Sequence, residues 1–388
     1  MRQSLIAAGM FLLTGGMVGC GTSSTQEKED LIVVDVSKDY PKKELILQDL
    51  FDVEYIPLET TDEFVTLGWL QAKDVMIIRN MFAADGDIFI YDRKGKAIRH
   101  INRKGQGNEE YAATNGIYLD DEKGELFVGN LRQRKIMTYD LFGNFKRSFT
   151  FKEGEDEDTK SWVYYKAIFN FDRDHFICQD ASSGRNFNGA YQDLEPRNIF
   201  LIVSKQDGSV VEEIKVPFEK KVSQVLFDEK GIGMVNNPCI VPYEDRWLLT
   251  EPSCDTVYTY SSAEGLKPFI VRTPSIQSMS PEIFLFPGVV TDRYCFMQTV
   301  KKELNLAMMD TYYRLMRTDL VYDRETKEVS EYVLYNDDFT KEVPIANLVD
   351  EIFDLTVFNN DEIAFTWRIN TPELVEAYQE GHLKGKLK

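Results

Sequence analysis

Gly116-Ile-Tyr-Leu119, Glu125-Leu-Phe-Val128, Lys135-Ile-Met-Thr-Tyr139 and Asn144-Phe-Lys-Arg-Ser-Phe149 are four short apolar-rich runs in close succession. The turns Asp121-Glu-Lys-Gly124 and Asp140-Leu-Phe-Gly143 separate two of the pairs. Aromatic and aliphatic residues suit a pleated, half-buried surface, and Asp, Asn and Gly supply the backbone angles that tight turns require. The stretch therefore reads as four antiparallel strands in sequence order.

The same grammar recurs on both sides. Upstream, Val75 to Ile101 contains Asp87-Ile-Phe-Ile-Tyr91, the turn Asp92-Arg-Lys-Gly95 and Ala97-Ile-Arg-His-Ile101. Downstream copies run from Lys166 to Pro217, from Met234 to Val271 and from Val289 to Tyr335. A sixth is incomplete, with only Ile352 to Phe358 and Glu362 to Trp367. A β-rich period of roughly 45 to 60 residues points to a propeller. The N-terminus carries two further strand signals, Leu31 to Val36 and Val53 to Leu58. Two strands from each terminus would complete a sixth blade and remove exposed sheet edges. The expectation is an all-β, six-bladed β-propeller over 31–388, closed by N-terminal strands pairing with the C-terminal blade. A short C-terminal helix follows at Thr371 to His382, with Pro372 at its first position.

Three segments carry a family resemblance: Val53-Glu-Tyr-Ile-Pro-Leu-Glu-Thr60, Asp92-Arg-Lys-Gly-Lys96 and Asn102-Arg-Lys-Gly-Gln-Gly-Asn-Glu-Glu-Tyr111. They resemble the signature segments of the six-bladed β-propeller lipoproteins of Bacteroides-type bacteria. The family usually has Pro where Asn108 stands. The resemblance implies a propeller and an envelope location, and no agreed activity.

The first residues read as an address. Arg2 precedes an apolar run from Leu5 to Leu13, and small residues follow, the pattern of a secretory signal. Met17-Val18-Gly19-Cys20 resembles the bacterial lipobox, with Met17 in place of the usual Leu. That resemblance implies cleavage after residue 19 and lipidation of Cys20, leaving 20–30 as a flexible tether. The membrane is then a partner through an N-terminal lipid, and the expected location is the cell envelope, probing either the periplasm or the surface from the outer membrane. Four other cysteines, Cys178, Cys239, Cys254 and Cys295, have no CxxC spacing and read as small buried hydrophobes.

Charge narrows the partners. With 45 Lys+Arg against 64 Asp+Glu the net charge is −19, which lacks the basic footprint of a general nucleic-acid binder. Gly105-Gln-Gly107 lacks the third glycine of a dinucleotide loop, because Glu110 takes that place. It reads instead as a structural loop of Gly105, Gly107, Glu109, Glu110 and Tyr111, whose carboxylates would meet nearby backbone amides. His100, His175 and His382 show no metal-binding spacing, and no cofactor or metal is expected.

In a propeller, the loops between second and third strands share a face with the blade-to-blade connections. Candidate ligand contacts on that face are Arg132, Arg134, Arg185, Asn186, Tyr191 and Arg368. Arg and Asn supply directed donors, and Tyr supplies a stacking ring. The expected role is binding or scaffolding, with a glycan or peptide as ligand and no catalytic residue assigned. The alternative is a carbohydrate-active enzyme, a lyase or hydrolase, working at the channel mouth. Oligomeric state is left open by the sequence.

Overall fold

The computed structural model describes residues 31–62, 70–72, 75–79, 85–114, 116–130, 135–150, 165–180, 199–229, 231–308, 315–340, 348–349, 355–359, 362–365 and 371–387. Residues 31–388 form one compact unit. The chain is nearly all β. It opens with β1 (Ile32–Asp35), β2 (Lys42–Ile46) and one helical turn, α1 (Leu47–Leu50). Then come the first sheet, β3 (Leu70–Ala72), β4 (Val75–Arg79), β5 (Asp87–Asp92) and β6 (Ala97–Asn102), and the second, β7 (Gly116–Asp120), β8 (Glu125–Asn130), β9 (Lys135–Asp140) and β10 (Phe145–Thr150). The third is β11 (Tyr165–Asn170), β12 (His175–Asp180), β13 (Phe200–Ser204) and β14 (Val210–Ile214). A separate hairpin follows, β15 (Val225–Asp228) and β16 (Gly231–Met234).

The fourth sheet is β17 (Ile240–Tyr243), β18 (Arg246–Leu249), β19 (Thr256–Ser261) and β20 (Gly265–Thr273). The fifth is β21 (Ile283–Val290), β22 (Tyr294–Leu304), β23 (Leu315–Asp323) and β24 (Glu328–Tyr335). A last hairpin, β25 (Leu355–Asn359) and β26 (Glu362–Phe365), precedes the helix α2 (Thr371–Gln379). Each of the five sheets is an antiparallel meander whose strands pair in chain order.

A repeated turn explains much of this regularity. Where the third strand of a sheet turns into the fourth, Asp92 Oδ1 accepts from the amides of Lys94 and Lys96 at 2.8 and 2.9 Å. Asp140 Oδ1 does the same for Phe142 and Asn144, also at 2.8 and 2.9 Å. Asp323 Oδ1 takes Glu325 and Thr326 at 3.1 and 3.3 Å. The aspartate replaces backbone partners that the turn leaves unmet, and a left-handed residue then reverses the chain: Gly95 (φ 82°), Gly143 (φ 83°) and Lys327 (φ 61°).

Glycine serves a second purpose at these turns. A side chain at Gly143 would crowd Ile101 on β6, and one at Gly208 would strike Phe149 and the Thr150 carbonyl on β10. In both cases the neighbour lies on the last strand of the preceding sheet. At Gly95 the neighbours are Ile56 and the Pro57 carbonyl, so the N-terminal segment holds the equivalent place beside the first sheet. Glu59 N donates to Gly95 O at 2.8 Å, and Ile56 and Leu58 pack on Met76, Ile78, Phe89 and Tyr91.

Consecutive sheets bury their faces against each other. Ile77, Ile88 and Ile90 of the first meet Leu126, Val128 and Met137 of the second. Phe127 and Ile136 meet Phe176, Cys178 and Leu201 of the third, with Phe127 and Phe176 edge to face at 4.8 Å. Ile177 and Phe200 meet Ile240 and Leu249, and Val257 and Ile270 meet Leu285 and Met297. Polar groups close the same seams. Lys205 is 2% exposed and donates to Asp120 Oδ2 at 2.7 Å and to the Asp172 carbonyl at 2.8 Å, tying the second sheet to the third.

The N-terminal strands go elsewhere than the sequence suggests. β1 pairs parallel with β20, Ile32 opposite Ile270, and β2 pairs parallel with β24, Lys42 opposite Glu331. The expected pairing of Leu31 to Val36 with the C-terminal hairpin is therefore corrected. Ile32, Val34 and Val36 alternate inward and join the core between the fourth and fifth sheets, which rewards this edge. Val53 to Leu58 forms no strand; Pro57 has no amide to donate to a ladder. β2 had no counterpart in the sequence reading, because Lys42-Lys-Glu44 lacks a β-branched run. β25 itself runs beside β3.

Candidate functional site

In each meander, the loop between second and third strands lies at the same end as the connection to the next sheet. The sequence candidates Arg132, Arg134, Arg185, Asn186, Tyr191 and Arg368 lie outside the described residues, as does Cys20. What is described there begins with the connection between the first and second sheets. Gly105 N donates to Tyr111 O at 3.1 Å, Tyr111 N to Arg103 O at 3.1 Å, and Glu110 N to Gly107 O at 3.2 Å. The Glu110 carboxylate accepts from Gly107 N at 2.8 Å. Glu109 contributes its carbonyl instead of its carboxylate, accepting from Tyr139 Oη at 2.9 Å.

Tyr111 is the centre of this loop. Its side chain is fully buried, and its hydroxyl donates to Gly86 O at 2.7 Å and accepts from Arg103 N at 2.9 Å. Burial pushes the phenol up to about 12. The loop is thus bonded to the sheets on both sides of it, with its glycines admitting the Glu110 carboxylate at close range.

The same end of the fourth and fifth sheets carries a polar network that the sequence reading passed over. Gln298 on β22 and Asn237 before β17 are buried, and Asn237 Nδ2 donates to Gln298 Oε1 at 2.8 Å. Arg317 on β23 donates through Nη1 to Gln298 Oε1 at 2.6 Å and to Asn237 Oδ1 at 3.1 Å. Gln298 Nε2 completes the chain to Asp319 Oδ1 at 2.8 Å. One signal was available: Gln298 interrupts the otherwise apolar Tyr294-Cys-Phe-Met, and a polar residue in a buried strand needs partners. The hairpin β15–β16 lies against β22, with Gly233 packed on Leu304 and Leu315.

In the loop after β18, Glu251 is almost wholly buried. Its Oε1 accepts from Lys221 Nζ at 2.8 Å and from Ser253 N at 3.1 Å. A carboxylate held by a cation and an amide in this way is committed to positioning the loop. At the other end of the fifth sheet, a cleft of about 450 Å³ opens between β2, α1 and the turn before β22. Glu44, Asp49, Asp292, Arg293 and Tyr294 line it. Arg293 and Lys43 both reach Asp323 Oδ2, at 3.1 and 3.2 Å, across the Tyr294 ring. Among the described residues, no cluster of three His, Cys, Asp or Glu side chains is arranged to hold a metal. Cys178, Cys239, Cys254 and Cys295 are free thiols.

The fold defines a class: a nearly all-β protein made of small repeated sheets. Residues 31–364 match the family model described as Domain of unknown function (DUF4934), and the chain belongs to that family. Among solved structures it is similar to an exported protein from Bacteroides fragilis, at 13% identity over 78% of this chain and 80% of that one, with a TM-score of 0.49. It is also similar to a member of the duf4221 family from Bacteroides vulgatus, at 10% identity over 73% and 88%, TM-score 0.47. A virginiamycin B lyase from Staphylococcus aureus aligns at 10% identity over 71% and 86%, TM-score 0.36. No curated protein matches the sequence.

Proposed function

We propose that this chain is a lipid-anchored, six-bladed β-propeller of a bacterial envelope that binds a glycan or peptide at the loop end of its blades. Three features support the ring. Five meanders follow one another in order, β25 runs beside β3, and Ile56 and Pro57 hold the place that the last strand of a preceding sheet holds elsewhere. Val53 to Leu58 then serves the sixth blade, while β1 and β2 brace the fourth and fifth from outside.

The observation that carries the binding role is the Asn237–Gln298–Arg317–Asp319 network. Two neutral amides, one guanidinium and the Asp319 carboxylate, oriented by each other, offer directed donors and acceptors, with that carboxylate already accepting from Gln298. The buried carboxylate of Glu251 is engaged by Lys221 and Ser253. Recognition by a preorganised polar surface follows more directly from this arrangement than lyase or hydrolase chemistry.

The test is a glycan and peptide array probed with protein lacking residues 1–20. A specific hit should weaken about tenfold or more in Arg317→Ala, the cost of one charged hydrogen bond. Arg185→Ala and Asn186→Ala test the insertion. A hit indifferent to all three changes would remove the loop end from consideration. For the anchor, Cys20→Ala should move the protein from the membrane to the soluble fraction; retention would refute lipidation.

A further inference from the structure

Arg272 is the penultimate residue of β20, opposite Val34 of β1, where the chain leaves the fourth sheet for the fifth. It is 4% exposed. Its backbone amide donates to Asp255 O at 2.9 Å. Its side chain fares worse. Among the described residues, Nη2 meets only the Met279 thioether, at 2.8 Å, while Nε and Nη1 are buried without a hydrogen-bond partner. The Asp255 carboxylate favours the ionised guanidinium from nearby, and its Oδ1 accepts from Ile276 N at 2.6 Å, but no hydrogen bond joins it to the guanidinium.

A guanidinium always carries its charge near neutral pH, so it cannot escape this site by releasing a proton. Leaving charged donors unmet in a protein interior is among the costlier arrangements a fold can contain, and each instance calls for a missing partner. A single water would accept from the guanidinium but must pass its own protons on, to the Asp255 carboxylate or to the Met279 thioether, which is a weak acceptor. A species that only accepts and is small enough to be enclosed satisfies the donors without needing acceptors of its own. A carboxylate ligand would bring a carbon substituent that must also be buried.

We propose that Arg272 anchors an internal site for a monatomic anion of the halide class, covered by Met279 in the connection between the fourth and fifth sheets. Met279 is half-buried and unbranched, and the residues beside it, Ser278 and Ser280, are exposed, so exchange with solvent requires only that this side chain swing aside. The site is separate from the polar network proposed to bind ligand, and its occupancy does not depend on that reading.

The purified chain is melted in chloride made up to constant ionic strength with gluconate. The midpoint should climb by about 2 °C for each tenfold rise in chloride above the dissociation constant. Arg272→Met should abolish the climb, and Arg272→Lys should keep part of it. Crystals grown with bromide should show an anomalous peak against the guanidinium. Equal chloride response in Arg272→Met, or a bromide-free site holding water, overturns the proposal. If Arg272→Met does not fold, the bromide peak in the unaltered protein decides alone.

Discussion

Tyr55 and Asp338, 283 positions apart, are joined by a hydrogen bond of 3.0 Å from the phenol to Oδ2. Gln48 Nε2 reaches the same oxygen at 3.0 Å, and Lys386 N reaches Oδ1 at 2.9 Å. Lys386 Nζ then returns to Val53 O at 2.9 Å. The head and tail of the chain therefore converge on one buried aspartate just after β24. The convergence is made by side chains, in place of the shared sheet that the sequence suggests.

Tyr55→Phe should cost about 1–3 kcal/mol in urea unfolding, since Asp338 and Asn336 each lose a partner at a buried site. Burial, foremost, pushes the Tyr55 phenol up to about 12 from 10.0. The folded state thus keeps a proton that the unfolded chain gives up. Its contribution is whole below pH 10.0 and fades as pH climbs toward 12. That alkaline component should be missing from the stability profile of Tyr55→Phe.

Glu125 gives the opposite sign. The forked bonds from Arg147, 2.8 and 2.7 Å long, hold its carboxyl at about 2, down from 4.5, against the opposing effect of burial. Stability from this pair is present above pH 4.5 and drains away as pH falls toward 2. Acid titration of unfolding should show a loss of about 2 kcal/mol across that window. Glu125→Gln should flatten this limb; an unchanged acid limb would mean the pair is already counterbalanced in the unfolded chain.

Gly95→Ala and Gly124→Ala separate two costs. Both glycines are left-handed, at φ 82° and 59°, but only Gly95 has the Pro57 carbonyl in the way of a side chain. Gly124→Ala should lose about 1 kcal/mol, the backbone cost alone. Gly95→Ala should lose more, about 2–4 kcal/mol, because residues 56–57 must also shift. Matching losses from thermal melts would show that the N-terminal segment does not press on this turn in solution.

Lys205→Met should be the most damaging of these single changes, at about 3–5 kcal/mol, because it leaves Asp120 buried without its cation. Adding Asp120→Leu should restore much of the loss. A double variant no better than the single would show that the carbonyls of Asp172 and Arg173, also bound by Lys205 Nζ, carry the cost.

The meanders were legible because their signals are local. Alternating apolar runs and Asp-to-Gly turns lie within a few residues of each other, as in Tyr139-Asp-Leu-Phe-Gly143, and the strands formed where those runs stand. The polar network was missed because Asn237, Gln298 and Arg317 are up to 80 positions apart. Only packing brings them together, and only Gln298 leaves a local trace.

What this sequence determined alone is the repeat: strand, turn and strand again, each fixed by short-range alternation and turn chemistry. What the tertiary structure decided is where the unrepeated ends go. β1 and β2 can pair with any open strand edge, and a parallel edge carries no turn to announce its partner. Their place was set by which flanks offered an apolar groove to Ile32, Val34 and Leu45, and by Asp338, which drew Tyr55 and Lys386 together.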